Sequence, residues 1–295
     1  MTPYRAAVKR FGLVGHPVKH SVSPAMMRAA FESLGVTGSY EAIDAPDEAA
    51  LRAVIGALRA GELDGLNVTL PHKRAALAMA DSAGESASRS GAANVLVREA
   101  GGKIRAENTD APAVVRVLAP RLKSRRWALV IGSGGAARAS LLACEALGFQ
   151  GVEITSRSWG TPEDAWERGA DLPEIRAKVQ FEPWMTEWGE PALLTGRDAD
   201  LVIQATSAGM EGADPGDEVI ERVPWEVLPR TTVAFDVVYR PRVTPFLARA
   251  SRQGLVVEGG LGMLVEQAAL AVGHWLGVTP SIDVLWEAAE RALSG

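Results

Sequence analysis

Residues 127–137 read Trp127-Ala128-Leu129-Val130-Ile131-Gly132-Ser133-Gly134-Gly135-Ala136-Ala137, and this run decides the fold class. Five apolar residues without polar alternation predict a strand covered on both faces, as in a parallel sheet. Glycines end it, and a helical-period segment then continues through Leu147. Strand, GxGxxA and helix in that order open a dinucleotide-binding βαβ unit. Gly132 allows the tight turn, Gly134 lets a pyrophosphate approach the backbone, and Ala137 fills the small third position. Ser133, Gly135 and Ala136 complete the loop, and the helix start offers unpaired N–H groups and a positive dipole end. Taken alone, GxGxxA also describes an ordinary glycine turn; its placement between strand and helix favours the dinucleotide.

Outward from this loop, further strands are expected at 152–155, 201–204, 232–238 and 255–257, which together predict an open, doubly wound sheet. The second strand ends in Thr155-Ser156-Arg157-Ser158, with no carboxylate for a ribose 2′-hydroxyl and an arginine suited to a 2′-phosphate. NADP is therefore favoured, and NAD stays open. Towards the amino terminus, Leu13 and Val14 end a first strand. Ser23 and Pro24 then supply an N-cap and first-turn proline to a helix stopped by Gly35. Leu51, Val54, Ile55 and Leu58 mark a second helix closed by Gly61, a strand at 66–70 is cut by Pro71, and Gly101-Gly102 marks a hairpin. Residues 158–197, with four of the eight tryptophans, predict only weak helix.

A chain of 295 residues fits two domains at roughly 100–200 residues each. Hydrophobic residues make up 47% and charged ones 23%, which excludes a disordered or fibrous protein. Net charge is −5 without a basic block, which argues against a nucleic-acid partner. The single Cys144 reads as a buried apolar group in a reducing compartment. The first 15 residues lack the apolar core of a signal peptide, and no run is long enough to span a membrane, so a cytoplasmic protein is expected. Neither His16 nor His20 has a partner at metal-ligand spacing, and no metal is expected.

Five polar clusters interrupt the apolar elements: His20-Ser21-Val22-Ser23-Pro24, Asn67-Val68-Thr69-Leu70-Pro71-His72-Lys73, Gly91-Ala92-Ala93-Asn94, Asn108-Thr109-Asp110, and Ala205-Thr206-Ser207-Ala208-Gly209-Met210. With the glycine loop, Asp236-Val237-Val238-Tyr239-Arg240-Pro241 and Gly262-Met263-Leu264-Val265-Glu266-Gln267-Ala268-Ala269, the chain resembles the shikimate dehydrogenase family from about residue 11 to 275. The resemblance implies a discontinuous α/β substrate domain, 1–111 plus 260–295, and a Rossmann-type NADP domain, 112–259, with substrate held between them. It implies reversible NADPH-dependent reduction of 3-dehydroshikimate to shikimate by a monomer or homodimer. Lys73 and Asp110 match the catalytic pair. Ser21 and Ser23 match carboxylate binders, and Asn67, Thr69, Asn94, Gln267 and Tyr239 match further substrate positions. Thr206, Ser207, Met210, Val237 and Gly260 join the glycine loop and Ser156, Arg157 and Ser158 on the cofactor side.

Before that match is applied, Lys73 reads as a surface charge and Asp110 as an N-cap; His72 reads as a solvated loop histidine, although histidine as a residue type is a common acid catalyst. The chain also departs from the family pattern. Val95 stands where threonine commonly follows the asparagine, Ala106 and Ala111 replace glycines, Ser156 replaces an asparagine, and no second basic residue closely follows Arg157. These departures keep two alternatives open: a paralogue acting on quinate or an aminated shikimate analogue, with NADP or NAD, and a nucleotide-sensing regulator on the same fold.

Overall fold

The computed structural model describes residues 8–184 and 199–294. The chain divides into two compact α/β units, Met1–Thr109 with Val265–Gly295, and Asp110–Leu264.

The first unit begins with β1 (Lys9–Gly15), α1 (Ser23–Ser33), β2 (Gly38–Asp44), α2 (Glu48–Ala60), β3 (Gly65–Val68) and α3 (Lys73–Ala78). Then come β4 (Ser82–Ala83), α4 (Glu85–Ser90), β5 (Val95–Arg98) and β6 (Ile104–Glu107). Their sheet has the order β2-β1-β3-β5-β6-β4. It is mixed: β5 runs antiparallel to β3, and the hairpin expected at Gly101-Gly102 turns β6 antiparallel to β5. In α2 the Asp47 side chain accepts the Ala50 N–H at 2.8 Å, Leu51, Ile55 and Leu58 are buried, and Gly61 ends the helix. In α1 the expected cap is corrected. Val22 occupies the cap position, Ser23 is the first helical residue, and its N–H donates to the Ser21 hydroxyl at 3.2 Å. Ser21 lies two residues upstream and turns back on the chain, so it accepts the first helical N–H, while a cap would accept the second or third.

The second unit comprises α5 (Asp110–Leu118), β7 (Trp127–Ile131), α6 (Gly135–Leu147), β8 (Gly151–Thr155), α7 (Pro162–Gly169), β9 (Lys178–Glu182) and β10 (Ala199–Gln204). It continues with α8 (Asp217–Arg222), β11 (Val233–Asp236), α9 (Pro245–Arg252) and β12 (Val256–Gly259). All six strands are parallel, in the order β12-β11-β10-β7-β8-β9. Counted from β7 this is 3-2-1-4-5-6 read from the β9 edge, the doubly wound arrangement whose connections reverse direction between β7 and β10. Strand β7 is buried at every position from Ala128 to Ile131, and Cys144 lies fully buried in the core beneath it. The region expected to be only weakly helical holds both α7, capped by the Thr161 hydroxyl, and edge strand β9; its residues 185–197 lie outside the described part.

Helix α10 (Leu261–Leu276) runs from the second unit into the first, and α11 (Ile282–Ser294) completes the first. Within the first unit the Trp275 indole stacks on Phe11 at a 4.8 Å ring separation, and its Nε1–H donates to the Leu96 carbonyl at 3.1 Å. That ring fixes the carboxyl-terminal half of α10, and so Gln267, against the first sheet.

Candidate active site

In the first unit the polar clusters converge at one edge of the sheet, because β3 ends, β5 starts and β6 ends there. Asn67 is opposite Val95, and Val95 is opposite Glu107. The Val68 N–H donates to the Asn94 carbonyl and the Asn94 N–H to the Glu107 carbonyl, at 2.9 and 3.0 Å. Upon this backbone frame lies a side-chain network. The Asn94 amide nitrogen donates to the Thr109 hydroxyl at 3.0 Å and to Gln267 Oε1 at 3.3 Å, while Asn94 Oδ1 accepts the Thr109 N–H at 2.8 Å. Asn67 Nδ2 donates to the Asn94 carbonyl at 3.2 Å, and Asn67 Oδ1 accepts the Tyr40 hydroxyl at 2.8 Å. Tyr40 is fully buried, and burial pushes its phenol pKa well up, so it stays a donor and fixes which end of the Asn67 amide carries oxygen.

Lys73 opens α3, partly buried, and its carbonyl accepts the Ala93 N–H at 2.9 Å, next to Asn94. His72 is not the solvated loop residue expected. It is 3% exposed, and Nε2 sits 2.7 Å from the Ala45 carbonyl. A carbonyl only accepts, so Nε2 carries the hydrogen. His72 thus ties the turn before Lys73 to the segment after β2. Thr69, partly buried, donates its N–H to Val14 and accepts that of His72. Asp110 is the first residue of α5 and is 1% exposed, which is not the setting of an ordinary surface cap. The buried amide of Asn108, two residues earlier, donates to Ser90 Oγ and to the Ala92 carbonyl at 3.1 and 2.9 Å. Ser21 and Ser23 stand partly exposed at the start of α1.

In the second unit every cofactor-side position lies at the carboxyl ends of the strands, where open α/β sheets bind ligands. Gly132 follows β7 with φ +124°, and an added Cβ would stand 2.9 Å from the Ala205 carbonyl oxygen, so only glycine fits the turn. Gly134 caps α6, which begins at Gly135 and Ala136, and a Cβ there would point into open space. The hydroxyls of Ser133, Ser156 and Ser158 form a chain with separations of 3.0 and 3.2 Å. After β10, the Thr206 hydroxyl accepts the Ala208 N–H at 3.0 Å, Ser207 is exposed, and Met210 is 43% exposed and therefore not core packing. Val237 follows β11; Gly260 follows β12 and packs so closely on Val237 that a Cβ would meet its carbonyl oxygen. Tyr239, partly buried, has its phenol pKa raised by burial, with Arg240 acting against the rise.

Two acids bear on this edge. Arg157 forms a close ion pair with Asp214, whose pKa is held down by the Gly216 N–H and by that guanidinium. Asp236 is buried, with Oδ2 accepting the Thr244 hydroxyl at 2.6 Å and Oδ1 the Val238 N–H at 2.9 Å. Burial pushes its pKa up to about 7 against both hydrogen bonds. Tyr40 and Asp214 escape sequence reasoning, since nothing local distinguishes them from ordinary structural side chains; Thr109 and Asp236 lie within the motifs singled out in the sequence but receive no role there.

The open space beside Gly134, the helix start, three rotatable hydroxyls and the arginine after β8 all suit a phosphorylated dinucleotide. Among the described residues, no group of His, Cys, Asp and Glu could hold a metal ion, and no helix is long and apolar enough to cross a membrane. Residues 13–96 match the shikimate dehydrogenase substrate binding domain, and 260–290 the shikimate 5′-dehydrogenase C-terminal domain. Shikimate dehydrogenase (NADP(+)) of Symbiobacterium thermophilum is 38% identical over 96% of this chain and 94% of its own. The Thermus thermophilus protein of the same name is 40% identical over 96% of this chain and 98% of its own. A crystal structure of shikimate 5-dehydrogenase from Thermus thermophilus, in complex with NADP(H) and shikimate, superposes with a TM-score of 0.81 at 39% identity over 97% of this chain and all of that one. By this identity over nearly its whole length, the chain belongs to the shikimate dehydrogenase family.

Proposed function

We propose that this chain catalyses the reversible NADPH-linked reduction of 3-dehydroshikimate to shikimate. The single observation that carries the reading is the hydrogen-bonded edge of the first sheet. Asn67, Asn94 and Gln267 are held together there, and Lys73 is joined by its backbone to the residue before Asn94. Amides fixed in this way hydrogen-bond ring hydroxyls and disfavour analogues that would leave them unpaired. Ser21 and Ser23 offer two hydroxyl donors to the substrate carboxylate, and Thr69 and Tyr239 add hydroxyls to the set.

Bound NADPH supplies the hydride that reduces the ketone carbon. Lys73 stabilises the charge growing on the ketone oxygen and gives it a proton, and Asp110 orients the lysine and the adjacent substrate hydroxyl. In the oxidative direction, Lys73 accepts the proton from the alcohol. The glycine loop, Ser156, Arg157 and Ser158 hold the adenosine and phosphates, while Thr206, Ser207, Met210, Val237 and Gly260 line the nicotinamide end. Action in the cytoplasm as a monomer or homodimer, without a nucleic-acid partner, accompanies this reading.

The test follows nicotinamide absorbance with shikimate and quinate, each with NADP and NAD. Shikimate with NADP is expected to be the most efficient pair, and Lys73→Ala to lower kcat by at least about 10²-fold while leaving NADPH affinity unchanged. Preference for quinate, or near-normal turnover of the variant, would defeat the assignment.

A further inference from the structure

A cavity of about 240 Å³ opens in the second unit beside the glycine loop, lined by Ser133, Ser158, Trp159, Arg138, Arg168 and Asp171. Two of the three linked serines therefore line the same space as two arginines. The end of the second strand of a doubly wound sheet is where the ribose 2′ position is read. The stretch after Arg157, Ser158-Trp159-Gly160-Thr161-Pro162-Glu163-Asp164, brings no second cation to that place. The fold brings one from further along the chain, because Arg168 near the end of α7 reaches the cavity that Ser158 also lines.

The remaining charges single out Arg168. Arg138 is committed to Asp171, donating to its carbonyl at 2.5 Å and lying 3.5 Å from its carboxylate. Arg157 is held by Asp214. Among the described residues Arg168 has a loose pairing with Asp164, 4.0 Å away one turn earlier, and its side chain is 58% exposed. A guanidinium that leaves a weak exposed pair for a phosphate loses little and gains a charge-assisted, bidentate contact.

We propose that Arg168, with the Ser133 and Ser158 hydroxyls, holds the 2′-phosphate of NADP(H) and is a specificity-determining residue of this enzyme. The proposal rests on the cofactor assignment given above. It is tested on the full chain by calorimetric titration of wild type, Arg168→Ala and Arg168→Glu with NADPH, NADH, 2′,5′-ADP and 5′-AMP, with thermal melting as the check of fold. Arg168→Ala is expected to weaken NADPH and 2′,5′-ADP at least tenfold and NADH and 5′-AMP less than twofold, with a larger selective loss in Arg168→Glu. Equal losses across all four ligands, or none, overturn the proposal. A wild type that does not prefer the 2′-phosphorylated ligands overturns the cofactor assignment and this clamp together; wild-type preference that persists unchanged in both variants overturns the clamp alone.

Discussion

The two sheet edges are built on opposite principles. In the first unit, the amides and hydroxyls of Asn67, Asn94, Thr109 and Gln267 bond to one another, anchored by the buried Tyr40 and a backbone frame. In the second, the groups that would meet the cofactor are half-exposed ions, Arg157 on Asp214 and Arg168 near Asp164, set around rotatable serine hydroxyls. A neutral, buried network keeps its geometry before substrate arrives, because breaking it leaves polar groups unpaired. An exposed ion pair exchanges partners at little cost, so it suits a charged ligand that comes and goes. Recognition of a ring acid and of a phosphate thus use different physics within one chain.

The contrast is broken most severely at Asn94. Asn94→Ala strands the Thr109 N–H and removes the link to Gln267, so kcat/KM for shikimate is expected to fall at least about 10²-fold and stability by about 1–3 kcal/mol. Steady-state kinetics and urea unfolding check both. A loss of activity without loss of stability would mean that the network is not structurally preorganised.

Asp236, buried and hydrogen-bonded to Thr244 and Val238, is a polar group of the first kind in the second unit, and it sharpens the comparison. Because burial raises its pKa in the fold to about 7, the native state binds this proton more tightly than the unfolded chain does. Its stabilising contribution is complete below about pH 4 and is lost as pH rises towards 7. Asp236→Asn should flatten that decline, by a difference on the order of 2–4 kcal/mol between pH 4 and 8, read from unfolding midpoints of the two proteins. Parallel pH profiles would show that Asp236 titrates alike in both states.

The smallest effect is expected at the exposed pair. Asp214→Asn frees Arg157 from its carboxylate, and NADPH should bind about two- to fivefold more tightly, with NADH unchanged, in the same calorimetric assay. Weaker NADPH binding would instead make Asp214 a positioning group for Arg157.

Legibility in the sequence follows the range of each interaction. Strand β7 and the end of α6 at Leu147 are read to the residue, because an apolar run, a glycine turn and a helical period are local signals. Strand β2 is not, since Gly38–Asp44 buries only Tyr40 and gains its place by pairing along β1. Strand β9 is hidden in the same way, as an edge strand whose partner is β8. Ser23 shows the limit within a single turn: it has a capping residue's chemistry, yet Ser21 takes its amide.

By itself the sequence determined the doubly wound second sheet, the phosphate-binding turn at Gly132 and the order of the polar clusters, all of which depend on neighbours a few positions away. Tertiary structure alone decided that His72 is buried on the Ala45 carbonyl, that Tyr40 orients Asn67, that Asn94 meets Gln267 173 residues later, and that Arg168 reaches the Ser158 cavity. Those pairings depend on strand register and on where helices α7 and α10 come to rest. Both follow from packing over the whole sheet, which no short window of residues encodes.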